Sequence, residues 1–386
     1  MNLKTSSIKI FVTFFVLSAF AAICLEAQPL SLTREEMIQY TPLWEGERFP
    51  DGRPKVPDDI IKRMRYVTIT EAWASVQSGA GIGMRGAPGR GAAPGMRGGP
   101  AGAETGNAAR GMRGGPADTE TGGTARRGGM SGATRGGFGR GGGSYNNQYL
   151  GTMKPMHPDV TICGRAMTIQ FMPLRPDINS AISQQGRADG RMSGQYTWGI
   201  DQLQQGDVYV ANVCEAILDA SHVGDNLGTA IYQHSGNGAI IWGTLRDLER
   251  NKEIKGFNVF VRDFRPQSNA NNMVMGVNCP LQLGYVTVMP GDIVLAKEMG
   301  IVFIPPHVAE SVVVQSERSR LRDTFAHIGV REGRFTAQQA DGGFTPQMNQ
   351  EFTQWLRDNF DDMGKFFDDP NAAPSKEFIQ QYLDGR

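Results

Sequence analysis

The stretch Gly224-Asp-Asn-Leu-Gly-Thr-Ala-Ile-Tyr-Gln-His-Ser-Gly-Asn-Gly-Ala-Ile-Ile-Trp-Gly-Thr-Leu-Arg-Asp247 decides how the rest of the chain is read. Gly-Asp-Asn reads as the mouth of a helix, and Leu227 to His234 supply the helix. Ser235-Gly-Asn-Gly238 is a turn by its composition. Ala239 to Trp242 is a short apolar run bounded by glycine, which suits a buried strand. Asp225 is therefore expected at a helix N-terminus and Arg246-Asp247 just past a strand end. Free backbone N–H groups and the positive end of the helix dipole both favour an anion there. Arg246 offers a planar fork that grips a carboxylate in bidentate fashion. Asp247 offers a hard oxygen ligand for a divalent cation. Together these groups outline a site for a 2-oxo acid beside a metal ion.

Twenty residues separate Asp225 from Arg246-Asp247. With Pro290-Gly-Asp292 and Gly300-Ile-Val-Phe-Ile-Pro305 downstream, this pattern resembles the RraA-like family, which includes the 4-hydroxy-4-methyl-2-oxoglutarate aldolases. The resemblance covers roughly residues 66–322, less one large insertion. It implies an α/β fold, a layered α-β-β-α sandwich of the swivelling β/β/α type. It implies that Arg246 binds the substrate carboxylate, that Asp247 ligates Mg²⁺ (or Mn²⁺), and that Asp225 orients a metal-bound water. Backbone N–H groups at Asn226, Leu227 and Gly228 would hold the keto-acid end. The implied activity is a metal-dependent carbon–carbon lyase that cleaves 4-hydroxy-2-oxo acids, decarboxylates oxaloacetate, or both. A homotrimer or a hexamer is implied too, with a carboxylate from a neighbouring subunit near the metal water. Glu317 and Asp323 are the candidates for it. His222, three residues before Asp225, is either a further acid-base group behind the site or a histidine that packs or caps near the loop, and the packing role is the one favoured. The alternative is a non-catalytic binding or regulatory protein, because one family member inhibits an RNA-degrading endonuclease by binding it.

The chain departs from the family pattern at two places. Trp242-Gly243 stands where Asp-Gly is common, and Ala296-Lys-Glu-Met-Gly300 stands where Ala-Asp-x-Asp-Gly is usual. Lys297 carries no sign of a desolvated pocket in its neighbours, so it is expected on the surface and not as a Schiff-base lysine.

Outward from the central stretch, Thr161 to Phe171 and Val208 to Val213 read as strands. Asp177 to Ser183 and Tyr196 to Leu203 read as short helices. Downstream, Glu249 to Lys255 is expected as a helix, and Phe257 to Val261, Val286 to Val288, Ile293 to Leu295 and Ile301 to Ile304 as strands. His307 to Asp323 is expected as a helix. Repeated strands with intervening helices indicate a mixed α/β layered domain.

The segments assigned are four. Residues 1–27 carry Lys4, Lys9 and the apolar run Ile10 to Leu25, the pattern of a cleavable secretory signal cut near Ala27. The run is too short for a comfortable membrane span, so no stable anchor is expected and the chain is placed in the periplasm or outside the cell. Residues 28–65 form an N-terminal arm that Trp44 and Phe49 anchor. The RraA-like domain runs over 66–337 and is split by the insertion 79–144, and 338–386 form a helical tail. In the insertion, Gly95-Met-Arg-Gly-Gly-Pro-Ala101 recurs at Gly111 to Ala117, and nine arginines stand against Glu104, Asp118 and Glu120. Such a glycine-rich tract has too little apolar bulk to order itself. It reads as a tolerated loop expansion.

Lys+Arg and Asp+Glu both number 39, so no net field points to nucleic acid or membrane, and no nucleic-acid partner is expected. Four cysteines show no metal-ligand spacing, and Cys163, Cys214 and Cys279 are expected as free thiols. His157, His234, His307 and His327 show no ligand spacing either.

Overall fold

The computed structural model describes residues 30–78, 145–191, 194–214, 221–268 and 271–385. The expected signal segment, the whole of the expected insertion 79–144, and Arg386 lie outside them. The N-terminal helices are α1 (Arg34–Tyr40), α2 (Asp58–Met64) and α3 (Ile69–Gln77). Capping boxes Thr33/Glu36 and Thr68/Glu71 fix the starts of α1 and α3. After the insertion come β1 (Tyr149–Leu150), β2 (Lys154–Pro155), β3 (Ile162–Pro173), α4 (Pro176–Ala188), β4 (Asp207–Asn212), β5 (Ser221–Val223), α5 (Asp225–Ser235), β6 (Ala239–Leu245), α6 (Leu248–Lys252) and β7 (Val259–Phe264). Then follow β8 (Asn272–Val277), β9 (Leu281–Leu283), β10 (Val286–Val288), β11 (Ile293–Lys297), β12 (Gly300–Ile304), α7 (Ala309–Arg331), α8 (Ala337–Asp341), α9 (Pro346–Asp358) and α10 (Lys376–Leu383).

The fold is mixed α/β, with one large mixed sheet in the order β1-β12-β11-β3-β4-β6-β7-β2. The four central strands β3, β4, β6 and β7 run parallel, while β11 pairs antiparallel with the first half of β3. β8 pairs antiparallel with its second half, past a bulge at Gln170/Phe171. The period of two distributes the strand residues over two faces. Val208, Val210, Ile240, Phe260, Val294 and Phe303 share one cluster, closed over by the β9–β10 hairpin residues Leu281, Leu283, Val286 and Val288. On the opposite face Tyr209, Ala211, Ile241 and Val259 pack with Ile231 of α5. Leu295, Val302 and Ile304 pack there with α2, α3 and α7.

The described part of the expected arm, residues 30–65, is built into this core. Ile60, Ile61 and Met64 of α2 are buried, and Arg53, 1% exposed, pairs with the fully buried Asp207 at 3.3 Å. Trp44 packs on the α2–α3–α7 cluster as expected, and the Arg53 and Arg165 guanidinium groups lie 4.9 and 5.7 Å from the centre of the Phe49 ring. The expected helix over 196–203 is two separate 3₁₀ turns, Gln195–Thr197 and Ile200–Gln202, with Gly199 between them. β8 had no counterpart in the sequence reading, because Asn, Met and Gly interrupt its β-branched pattern, and neither had the three-residue β9, Leu-Gln-Leu, which is too short to signal itself. The helix expected to end at Asp323 continues to Arg331. The tail docks on its own chain, where Phe352, Leu356 and Ile379 pack on Leu321 and Phe325.

Candidate functional site

The parallel strands end on one edge of the sheet, the position where open α/β sheets place their ligands. β6 is buried along its whole length and delivers Arg246 and Asp247 to that edge. β5 runs parallel to β6 and delivers Gly224 and the start of α5 beside them. The Arg246 N–H donates to Val223 O at 3.0 Å, which locks the two segments together.

Gly224 is the closest point of the pairing. A Cβ on it would lie 2.5 Å from Asp247 Oδ2 and 3.0 Å from the Arg246 guanidinium carbon. Arg246 Nη1 pairs with Asp247 Oδ2 at 3.1 Å, and both side chains are about one-third exposed, at 39% and 30%. Asp247 sits in the left-handed region at φ 55, a conformation costly for a residue other than glycine and found disproportionately at functional sites. The buried Asn251 holds it there by donating its Nδ2 to the carbonyls of Arg246 and Asp247. Asn251 in turn abuts the backbone of Gly228, which leaves no room for a side chain at that position.

Asp225 is the first residue of α5, with Gly224 as N-cap. Arg250 Nη1 lies 3.3 Å from its Oδ2. Desolvation works against ionisation of this carboxyl, but the Arg250 hydrogen bond and the Asn226 backbone N–H outweigh it and hold it below the usual carboxylate range. Gly228 N–H donates to Gly224 O at 2.9 Å and is therefore not free for a ligand as expected, whereas the preceding first-turn N–H groups at Asn226 and Leu227 point toward the helix mouth. The structure thus brings Asp225, Asn226, Leu227, Gly228, Arg246 and Asp247 together. Arg250 and Asn251 join them, and sequence reasoning missed both.

The other expected residues stand elsewhere. His222 is 2% exposed, packed edge-on to Phe171 with ring centroids 4.4 Å apart, and its Nε2 meets the Tyr209 hydroxyl at 2.8 Å. Burial pushes it down to about 3, so it is a neutral core group and not an acid-base group facing solvent. Glu317 is buried and bound by Arg63 of its own chain through two hydrogen bonds, at 2.8 and 2.5 Å. It is not a carboxylate free to serve a neighbour. Asp323 lies on the exposed side of α7, beside His327 and Asp341. Lys297 is half-buried instead of lying on the surface, and desolvation lowers its pKa.

Among the described residues no group of three or more His, Cys, Asp or Glu is placed to hold a metal ion. The donor set at Asp247 therefore does not fit a closed protein cage. It fits a hard cation held by one carboxylate, with water or substrate oxygens filling the other positions, as Mg²⁺ accepts.

Several known proteins resemble this chain. Protein DlpA of Legionella pneumophila subsp. pneumophila is 26% identical over 183 residues, which cover 47% of this chain and 28% of DlpA. The chain thus spans less than a third of that relative's length. Streptomyces coelicolor RraAS2, described as an unusual member of the RNase ES inhibitor RraA protein family, is 22% identical with a TM-score of 0.40, over 47% of this chain and 84% of that one. The RNA-processing inhibitor RraA from Thermus thermophilis is 19% identical with a TM-score of 0.32, over 42% and 86%. Residues 140–303, which hold β1 to β11, the start of α5 and the Arg246-Asp247 pair, match the RraA-like (Aldolase/RraA) family, so this chain carries an RraA-like domain.

Proposed function

We propose that the chain is a divalent-metal-dependent lyase that cleaves 4-hydroxy-2-oxo acids, decarboxylates oxaloacetate, or does both. The observation that carries this reading is the seating of Arg246 and Asp247 against Gly224 at the start of α5, on the edge where the parallel strands end. The layered α-β-β-α arrangement of the RraA-like type belongs to the same proposal. So do a homotrimeric or hexameric assembly and an exported location.

Arg246 binds the substrate carboxylate through its guanidinium fork. The first-turn N–H groups at Asn226 and Leu227 hold the other end of the 2-oxo acid. Asp225, kept ionised by Arg250, orients water at the site. A Mg²⁺ or Mn²⁺ ion on Asp247 would supply Lewis-acid stabilisation of the charge that develops on the keto oxygen. Breaking the C3–C4 bond of either substrate class leaves the bond's electron pair on pyruvate C3, as the same enolate. The Arg246 charge stabilises that enolate electrostatically. A single site therefore serves both reactions.

One observation favours a second reading, a non-catalytic binding or regulatory protein: among the described residues Asp225 and Asp247 alone supply carboxylates at the site, and each is paired to an arginine of its own chain. Pyruvate release from oxaloacetate and from 4-hydroxy-4-methyl-2-oxoglutarate, with Mg²⁺ or Mn²⁺, separates the two. We expect turnover that falls at least about 100-fold in Arg246→Ala and in Asp247→Ala at unchanged melting temperature. Asp225→Ala should weaken metal binding less than Asp247→Ala. Turnover by Asp247→Ala at the wild-type rate would refute the site, and a wild-type chain inert toward both substrates would favour the binding protein.

A further inference from the structure

A second cluster lies at the start of β11, on elements that the Arg246 site does not use. Pro290-Gly291-Asp292 makes the turn, with Gly291 at φ 88 packed against Pro54. Asp292 is 3% exposed. Its Oδ2 accepts the Met289 N–H at 2.8 Å, and its Oδ1 has no hydrogen-bond partner among the described residues. No lysine or arginine among them pairs with it. An uncompensated carboxyl this deeply buried is expensive, and it persists where something else requires it. Burial pushes it up to about 7, so it is on the verge of ionising at neutral pH.

Asp292 lines a cavity of about 520 Å³, within the usual size range of small-molecule sites. Four rings, Tyr40, Trp44, Tyr145 and His307, share that lining. Tyr145 Oη and His307 Nε2 are 2.9 Å apart, which fixes those two rings. Desolvation lowers the pKa of His307 and so disfavours its charged form as a counter-charge. Burial and the nearby Asp292 charge both raise Tyr145, so it keeps its proton. One carboxyl without a cation among aromatic rings is complementary to a cation with an apolar body, because ring faces attract positive charge.

We propose that this cavity binds a small organic amine, its ammonium group donating to Asp292 Oδ1 and its apolar body lying against Trp44, Tyr40 and Tyr145. The site is independent of the lyase reading and stands or falls without it. The amine restores the charge balance that the buried carboxyl lacks.

The test is calorimetric titration of the full chain with 2-phenylethylamine and with its neutral counterpart 2-phenylethanol. We expect the amine to bind at least about tenfold tighter than the alcohol, and Asp292→Asn to lose that preference, since Asn retains an oxygen for the Met289 N–H. Should Asp292→Asn fail to fold, Trp44→Leu serves instead, because Trp44 is only half-buried. Its amine affinity should fall several-fold, by about the magnitude of an exposed cation–π contact. Raising the pH from about 5.5 to about 8 should strengthen amine binding as Asp292 ionises. Equal affinity for amine and alcohol, no binding of the amine, or binding unchanged in a folded variant would each overturn the proposal.

Discussion

Gly224 shows how a single missing Cβ sets the geometry of the Arg246 site. Its φ is −110, so any residue can adopt its backbone, and only the space is special. The atoms that an added methyl would strike are the far ends of the Asp247 and Arg246 side chains. We therefore expect Gly224→Ala to change stability by less than about 1 kcal/mol while lowering turnover at least about tenfold. Comparing melting temperature with pyruvate release checks both halves. His222 and Asp292 make a second prediction at this scale. His222 is held at about 3 in the folded chain, below the unfolded value near 6.5. Its contribution is therefore full above about pH 6.5 and is lost as the pH falls, by about 3 kcal/mol at pH 4. Asp292 is held at about 7, above its unfolded value near 3.9. Its folded form keeps a proton that the unfolded chain releases, so stability falls as the pH rises from about 4 to about 7. The two slopes oppose each other in the wild type. Urea unfolding across this range should show stability rising more steeply with pH in Asp292→Asn, and falling with pH in His222→Gln. Identical slopes in all three proteins would contradict the assignment.

At the scale of elements, two buried ion pairs tie the N-terminal helices to the sheet and to α7. Asp207 is fully buried, and its ionisation is opposed by desolvation and supported by Arg53. Asp207→Ala leaves Arg53 to the partly exposed Asp51 at 2.9 Å, and we expect a loss of about 1–3 kcal/mol in chemical unfolding. Asp263→Ala removes a pair of Lys154 at the surface and should cost less than about 1 kcal/mol. Glu317→Ala should lower stability by about 1–3 kcal/mol through the stranded Arg63 and leave the rate constant of the lyase unchanged. The flanks of the insertion give a further expectation. Trp73 of α3 and Tyr149 of β1 pack with ring centroids 6.1 Å apart, on the cluster that α2 and α7 share. The two flanks thus belong to one core, and replacing residues 79–144 by a short flexible linker should leave cooperative unfolding intact. A broad, non-cooperative transition in that variant would show that the insertion contributes to the core.

At the scale of the molecule, the open question is assembly. Among the described residues two carboxylates, Asp225 and Asp247, stand at the proposed Arg246 site, and a cation held there mostly by water would need further acceptors to orient that water. A closed ring of subunits presents the same helix to each neighbouring site in turn. With Glu317 committed to Arg63, the exposed Asp323 of α7 is the remaining candidate donor. Light scattering should give a trimer or a multiple of it, and Asp323→Ala should lower turnover without changing the mass. A monomer with full activity would dismiss the assembly. A trimer indifferent to Asp323→Ala would keep the assembly and remove the donated carboxylate.

The sequence by itself determined the parts whose signals are local. Gly224-Asp225 as a helix mouth, the apolar run from Ala239, and Arg246-Asp247 beyond it follow from spacing and turn chemistry. They fall in α5, β6 and the edge after β6. The site residues that lie within this one stretch were legible for the same reason. Tertiary structure decided what depends on pairing between distant segments. Gln195 to Gln202 became two 3₁₀ turns, with Ile200 and Trp198 drawn into the core by the strands beneath. β8 forms because the far half of β3 offers it an edge, against its own weak propensity. His222 and Glu317 carry groups that suit catalysis, and neither is available for it. Burial silences the first and Arg63 occupies the second, and neither fact exists until the chain is packed.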